Sequence, residues 1–89
     1  MKAVITVLGS DRIGIIAAVT AILAEAGVNI LDISQTIMQE LFTMVMMVDL
    51  AHMGMDLETL QEKLVAKGEE LGVQIRVQRD DIFRSMHRI

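Results

Sequence analysis

Two short segments of the chain carry the groups with which proteins hold small charged molecules. The first is the hexapeptide Gly9-Ser10-Asp11-Arg12-Ile13-Gly14, in which a carboxylate and a guanidinium stand between glycines. An ionised carboxylate accepts strongly from an ammonium group, and a guanidinium pairs bidentately with a carboxylate. The second segment begins at Asn29, whose amide can donate to a carboxylate and accept from an amine at once. Together these residues indicate a binding site.

The sequence on either side of the hexapeptide places it at the start of a helix. An apolar run from Ala3 to Leu8 indicates a central strand, whereas from Ile15 apolar residues recur every three or four positions. Ser10 or Asp11 can cap this helix. The first N–H groups of a helix have no partner within it and suit an anion such as a carboxylate. The hexapeptide lacks the lysine and the spacing of a phosphate loop and is not G-x-G-x-x-G.

Each of these residues also has a purely structural explanation. The geometry of the turn alone would also require Gly9 and Gly14. Asp11 can act as the helix cap instead of receiving an ammonium group, and Arg12 can project into solvent. Asn29 also suits a turn between a helix and a strand. The residues alone therefore leave both interpretations open.

Changes in hydrophobic period predict six regular elements. Alternation or continuous apolar runs predict strands, and recurrence at three and four positions predicts helices. Gly27 and Gly72 suit the left-handed position just past a helix end, and Asp56 suits the cap at a helix start. The predicted elements are strands at 2–8, 28–39, 42–50 and 73–78, helices at 15–26 and 57–71, and a turn at Glu40-Leu41.

The order of these elements, β-α-β-β-α-β, predicts an α+β, ferredoxin-like fold. Right-handed crossovers would place both helices on one face of a four-stranded antiparallel sheet. One extra apolar residue between Ile30 and Leu31 predicts a β-bulge there. Helical spacing in the tail predicts a short C-terminal helix, and this tail or a second copy could cover the other sheet face. The tail residues with that spacing are Ile82, Phe83, Met86 and Ile89.

Composition indicates how many domains the chain has and which kinds of partner it can bind. The 89 residues contain no linker-like segment, so a single domain, 1–89, is expected. Hydrophobic residues make up 53%, which predicts apolar surface shared in a homodimer or higher homo-oligomer. A net charge of −4 with Phe42 and Phe83 as the aromatic residues argues against nucleic acid. No apolar run is long enough to span a membrane. The absence of cysteine fits a cytoplasmic protein. No metal or cofactor is expected.

The chain resembles an ACT domain over nearly its whole length. The resemblance is carried by the run from Gly9 to Val19, by Leu23-Ala24-Glu25-Ala26-Gly27-Val28-Asn29-Ile30, and by Asp32-Ile33 with Gln35. It is similar to small stand-alone ACT-domain proteins of unassigned function and to the ACT modules of the glycine-cleavage repressor and formyltetrahydrofolate deformylase. Many members have proline at the position of Ile13.

The resemblance implies a regulatory module that binds a small molecule, usually an amino acid, and that is not an enzyme. ACT domains typically join their sheets side by side and bind the effector at the joint between two subunits. Carried onto this chain, the site consists of Gly9, Ser10, Asp11, Arg12, Ile13 and Gly14 of one subunit and Asn29 of the other. Gln35 and Asp32 either line the same joint or lie on an exposed sheet face.

Two other functions fit parts of the sequence. An acylphosphatase-like enzyme uses the same strand order with an arginine in its first loop and an asparagine elsewhere, as Arg12 and Asn29 would supply. No general base or activated nucleophile accompanies them, and the glycine-valine-glutamine pattern of that family is missing. The apolar surplus and the apolar tail instead fit a ligand-free module that docks onto an enzyme or regulator.

Overall fold

A computed structural model describes residues 1–10 and 13–80 and has the predicted βαββαβ order. The strands form one antiparallel sheet in the order β2-β3-β1-β4. The predicted C-terminal helix lies outside the described residues. The elements are β1 (Lys2–Ser10), α1 (Ile15–Ala26), β2 (Asn29–Met38), β3 (Leu41–Asp49), α2 (Leu57–Leu71) and β4 (Val73–Arg79).

One face of the two central strands, β1 and β3, forms the centre of the core. Their register sets Ile5 opposite Met46 and Val7 opposite Met44, and all four side chains are fully buried. Both helices pack on this face because each presents one apolar stripe to it. The helix residues fully or almost fully buried in the same cluster are Ile15, Val19, Leu23 and Ala26 of α1 and Leu60 and Leu64 of α2.

The helix ends are set by local backbone chemistry. Gly27 follows α1 at φ 78° and Gly72 follows α2 at φ 75°, both as predicted, since glycine enters this left-handed region without a steric penalty. Asp56 caps α2 as predicted, and its carboxylate accepts a hydrogen bond of 2.8 Å from the Thr59 N–H. The start of α1 differs from the prediction. Its N-cap is Gly14, at φ 91°, whereas Ser10 still belongs to β1.

The hairpin between β2 and β3 contains one confirmed and one displaced feature. The register shifts between Ile30 and Asp32, which leaves Leu31 as the extra residue of the predicted bulge. The turn lies one residue earlier than predicted, at Gln39 and Glu40, with φ of 48° and 73°. Hairpin turns with two positive φ values normally contain asparagine or glycine, and neither is present here. Within the described residues, no helix is long and apolar enough to cross a membrane.

Gly9 lets β4 approach β1 closely. It lies opposite Val73, and a Cβ atom added to Gly9 would stand 2.7 Å from Cγ1 and 2.9 Å from Cα of that valine. One of these two atoms belongs to the backbone, so the strands would have to move apart to accept a side chain. The glycine is therefore required by strand packing.

We expect Gly9→Ala to lower the free energy of unfolding by about 1–3 kcal/mol, the usual cost of overpacking. Gly54→Ala is the matched control, because its added Cβ would meet nothing within 4 Å and its φ is not positive. That control should stay within about 0.5 kcal/mol of the parent chain. Urea unfolding measures both. Equal stability of the two variants would show that β4 is not held at this distance.

The capping carboxylate should also make stability depend on pH. The hydrogen bonds from Thr59 lower the pKa of Asp56 below its ordinary value of 3.8. A lowered pKa in the folded state contributes stability that is present above the unfolded-state pKa and is lost as the pH falls through the folded one.

Asp56→Ala should therefore be less stable than the parent chain at neutral pH, and this difference should shrink as the pH falls below 3.8. Glu62→Ala, which removes an exposed carboxylate from the middle of α2, serves as the control. Urea unfolding across the acid range measures the effect. A difference that stays constant down to the lowest pH would contradict the capping role.

Candidate functional site

The predicted loop lies between the end of β1 and the start of α1. Ser10 ends β1 opposite Leu41, and Asp11 and Arg12 lie outside the described residues. Ile13 is fully exposed. Gly14 supplies the first helical carbonyl, which accepts from the Ala18 N–H at 2.9 Å. The loop therefore does lead directly into a helix start, as the sequence indicates.

The start of α1 has the features of an anion-suited helix end. Gly14 has no side chain, so the capping residue itself covers none of the N–H groups in the first turn. That turn carries no acidic residue to neutralise the positive end of the helix dipole. Among the described residues, nothing lies within 4 Å of a Cβ added to Gly14. Its positive φ, rather than helix–sheet packing, explains the glycine.

Asn29 lies far from this loop within one chain. It is the first residue of β2 and is exposed, and it pairs with Asp49, which in turn pairs with Lys2 at the start of β1. Ser10 is eight residues further along β1, which at roughly 3.3 Å per residue is about 26 Å away. The structure therefore places the two predicted parts of the site at opposite ends of one sheet.

A shallow groove adjoins the loop on the helix-bearing side of the sheet. It lies between the first turn of α1 and β2, with a volume of about 420 Å³. Gln35 faces it because its partner across the sheet is the core residue Met44. Asp32 pairs with Met47 and lies on the opposite face of the sheet. The other groove residues are Gly14, Ile15, Ile16, Ala17, Ile37 and Phe42.

The apolar groove residues were not predicted as part of a site. Ile16, Ile37 and Phe42 fit the helix and strand periods that normally indicate core, and of these three Phe42 alone is buried. One sequence signal was available, since Ile37 shares the face of Gln35 by strand alternation. The exposure of Ile37 follows from the position of β2 at the edge of the sheet.

The outer edge of β2 is apolar on its helix-bearing side. Ile33 and Ile37 are 43% and 54% exposed although they pair with the core residues Met46 and Phe42. Among the described residues, β2 pairs with β3 alone, so the other edge of its backbone is available for pairing. Edge strands of this kind associate readily with another strand. No group of three His, Asp or Glu side chains within residues 1–10 and 13–80 could hold a metal ion.

Comparison with known proteins identifies close relatives. A family model described as an ACT domain matches residues 2–78. The UPF0237 protein of Clostridium acetobutylicum is 54% identical over the whole of both chains. The UPF0237 protein of Methanocaldococcus jannaschii is 53% identical over 99% of this chain and 98% of its own length.

Solved structures agree with this family. An ACT domain protein from Streptococcus pneumoniae is 44% identical, covers 93% of each chain and superposes with a TM-score of 0.81. A putative glycine cleavage system transcriptional repressor is 26% identical with a TM-score of 0.74, over 88% of this chain and 44% of its own. The fold is also shared by the formyltetrahydrofolate deformylase of Pseudomonas putida, at 13% identity, a TM-score of 0.81 and 30% of that chain. The protein therefore belongs to the ACT domain family, whose members are in general regulatory modules that bind small molecules such as amino acids.

Proposed function

We propose that the protein is a cytoplasmic regulatory module, and not an enzyme, that binds an amino acid between two copies of its chain. The site consists of residues 9–14 of one copy and Asn29 of the other. One observation carries the proposal. Asn29 and the loop lie at opposite ends of one sheet, whereas the outer edge of β2 is available to bring a second copy alongside.

Antiparallel pairing of two β2 strands supplies the missing half of the site. In a two-fold arrangement the first residue of one strand lies beside the last residue of the other, so Asn29 of one copy comes beside Met38 of its partner. Met38 pairs with Leu41, and Leu41 pairs with Ser10. The pairing therefore carries Asn29 from the far end of its own sheet to the loop end of the neighbouring sheet.

The same pairing covers exposed apolar side chains. Ile33 and Ile37 lie on the helix-bearing side of the edge, where pairing would set them against the same side of the partner's β2 strand. Burying such side chains stabilises an association by about 25 cal/mol per Å² of apolar surface removed from water. A surface of this kind suits an interface between identical subunits, because a two-fold axis makes it complementary to itself.

The ligand chemistry follows from the groups that meet at this joint. The N–H groups at the start of α1, which the Gly14 cap does not cover, favour the carboxylate of an amino acid together with Arg12. Asp11 and the Asn29 amide favour its ammonium group. The adjoining groove of about 420 Å³, with Ile16 and Ile37 in its walls, would take an apolar or small side chain.

The subunit arrangement is tested by a charge on the β2 edge. Ile33→Lys places two like charges close to the two-fold axis, because Ile33 lies at the middle of β2, so the dimer should dissociate at concentrations at which the parent chain stays associated. Val65→Lys is the matched control, since Val65 is an exposed apolar residue, 38% accessible, on α2. Analytical ultracentrifugation distinguishes the two. A parent chain that sediments as a monomer would contradict the proposed joint.

Ligand binding is tested by thermal melting against the twenty amino acids. A ligand in hundredfold excess over its Kd stabilises the folded state by about 2.7 kcal/mol, and each kcal/mol raises the Tm by about 4–8 °C in a domain of this size. The effective amino acid should lose this shift with Asn29→Ala and keep it with Gln74→Ala. The latter removes an equally exposed amide from the opposite sheet edge.

Absence of a shift with every amino acid at millimolar concentration would remove the amino-acid proposal. If the chain still forms the β2-paired dimer in that case, the ligand-free docking module becomes the better account. Exposed apolar residues at the loop end support that second function, above all Ile13, Met38 and Leu41.

A further inference from the structure

The second edge of the sheet belongs to β4, on the side away from β2. Among the described residues β4 pairs with β1 alone, so no described strand lies along the outer edge of positions 73–77. A depression of about 680 Å³ adjoins this edge. Val65 and Glu69 of α2 line it on the helix-bearing side, and Gln74 and Arg76 line it on the other. The β4 edge therefore has room for an added strand.

α2 lies close over β4 and runs along it. A Cβ added to Gly68 would stand 2.7 Å from the backbone oxygen of Val73 and 3.2 Å from Cγ1 of Ile75, so the absence of a side chain permits this approach. Gly72 alone joins the two elements, so the chain reverses there and the helix returns beside the strand. The flank of α2 that borders the β4 edge is therefore held at a fixed height above it.

The charged residues of α2 are divided between its two flanks. The flank toward the β4 edge carries three exposed glutamates, called here the acidic row: Glu58, Glu62 and Glu69. Lys63 and Lys67 instead line the groove between the two helices, where Lys67 pairs with Glu70 at 3.1 Å. The acidic row rises about 16 Å along the helix, the length of about five strand residues. An added strand would therefore face negative charge along much of its length.

This charge determines which strand the β4 edge can accept. A second copy that paired β4 with β4 around a two-fold axis would bring two acidic rows together, which is unfavourable. β2, the other edge strand, contains no lysine or arginine that could face the row. The complement of the β4 edge is therefore an extended segment of a different protein that carries basic side chains.

We propose that the β4 edge binds such a segment as a fifth strand, with lysine or arginine at every second position. Strand alternation directs every second side chain to the helix-bearing side, where the basic groups meet the acidic row. The residues between them are uncharged, because they lie on the side of Arg76, which would repel another cation. The proposal goes beyond amino-acid binding and does not depend on it, since it concerns the opposite edge of the sheet.

The probe is a nine-residue peptide with blocked ends in which lysine alternates with threonine and valine. NMR titration of the isotope-labelled chain measures its Kd and locates it, and we expect shifts at positions 73–77 and 62–69. Glu62→Lys combined with Glu69→Lys should raise the Kd about tenfold or more, because two attractions become repulsions. Glu25→Lys combined with Glu70→Lys is the control. It changes the net charge equally but in the groove between the helices, and should alter the Kd less than about twofold.

Two N-methylated versions of the peptide test the strand pairing itself. One carries the methyl groups on its lysines and the other on the residues between them. Since the N–H groups of a strand point alternately to its two edges, one version should lose binding and the other should keep it. Equal binding by both versions would overturn the proposal, as would an equal effect of the two double variants, shifts along β2 instead of β4, or no binding at millimolar peptide.

Discussion

The structure depends on the pairing of β1 with a strand on each side. β1 pairs with β3 along its whole length, from Lys2 to Ser10, and with β4 from Ala3 to Gly9. These pairings satisfy the backbone hydrogen-bonding groups of β1 on both of its sides. The side chains of Ile5 and Val7 are fully buried. Every other element is positioned by β1. α1 begins where β1 ends, and β4 can lie against it closely because Gly9 has no side chain.

The same constraint separates the two halves of the candidate site. A strand, a helix and a second strand in the same direction return the chain to the end of the sheet from which it started. β2 therefore begins at the same end of the sheet as β1, with β3 between them, and Asn29 is at the opposite end from the loop. A small domain built in this way can use both groups on one ligand only by associating. In the proposed dimer, subunit pairing and ligand binding would therefore be coupled, which is the property that a regulatory module requires.

Much of this architecture could be predicted from the sequence because it depends on local chemistry. Gly27, Asp56 and the extra residue at Leu31 each determine a feature within a few positions, and all three predictions are confirmed. The start of α1 could not be predicted in the same way. Polar capping rules favour Ser10 or Asp11, whereas Gly14 takes the position through its positive φ. The groove also escaped prediction, because the exposure of Ile37 depends on which strand lies at the sheet edge.

The bulge at Leu31 determines which way all of the following strand faces. Because Leu31 is skipped in the register, Asn29 and Asp32 lie on one side of the sheet, whereas Ile33, Gln35 and Ile37 lie on the other. Without the skipped residue the phase would reverse from Asp32 onward, and the groove would be lined by a carboxylate and two hydroxyl side chains. Deleting one residue at this point would therefore move each of the seven side chains at 32–38 to the other face of the sheet. Evolution could thus exchange a largely apolar surface for a hydrophilic one by a single deletion, without any substitution in the rest of the strand.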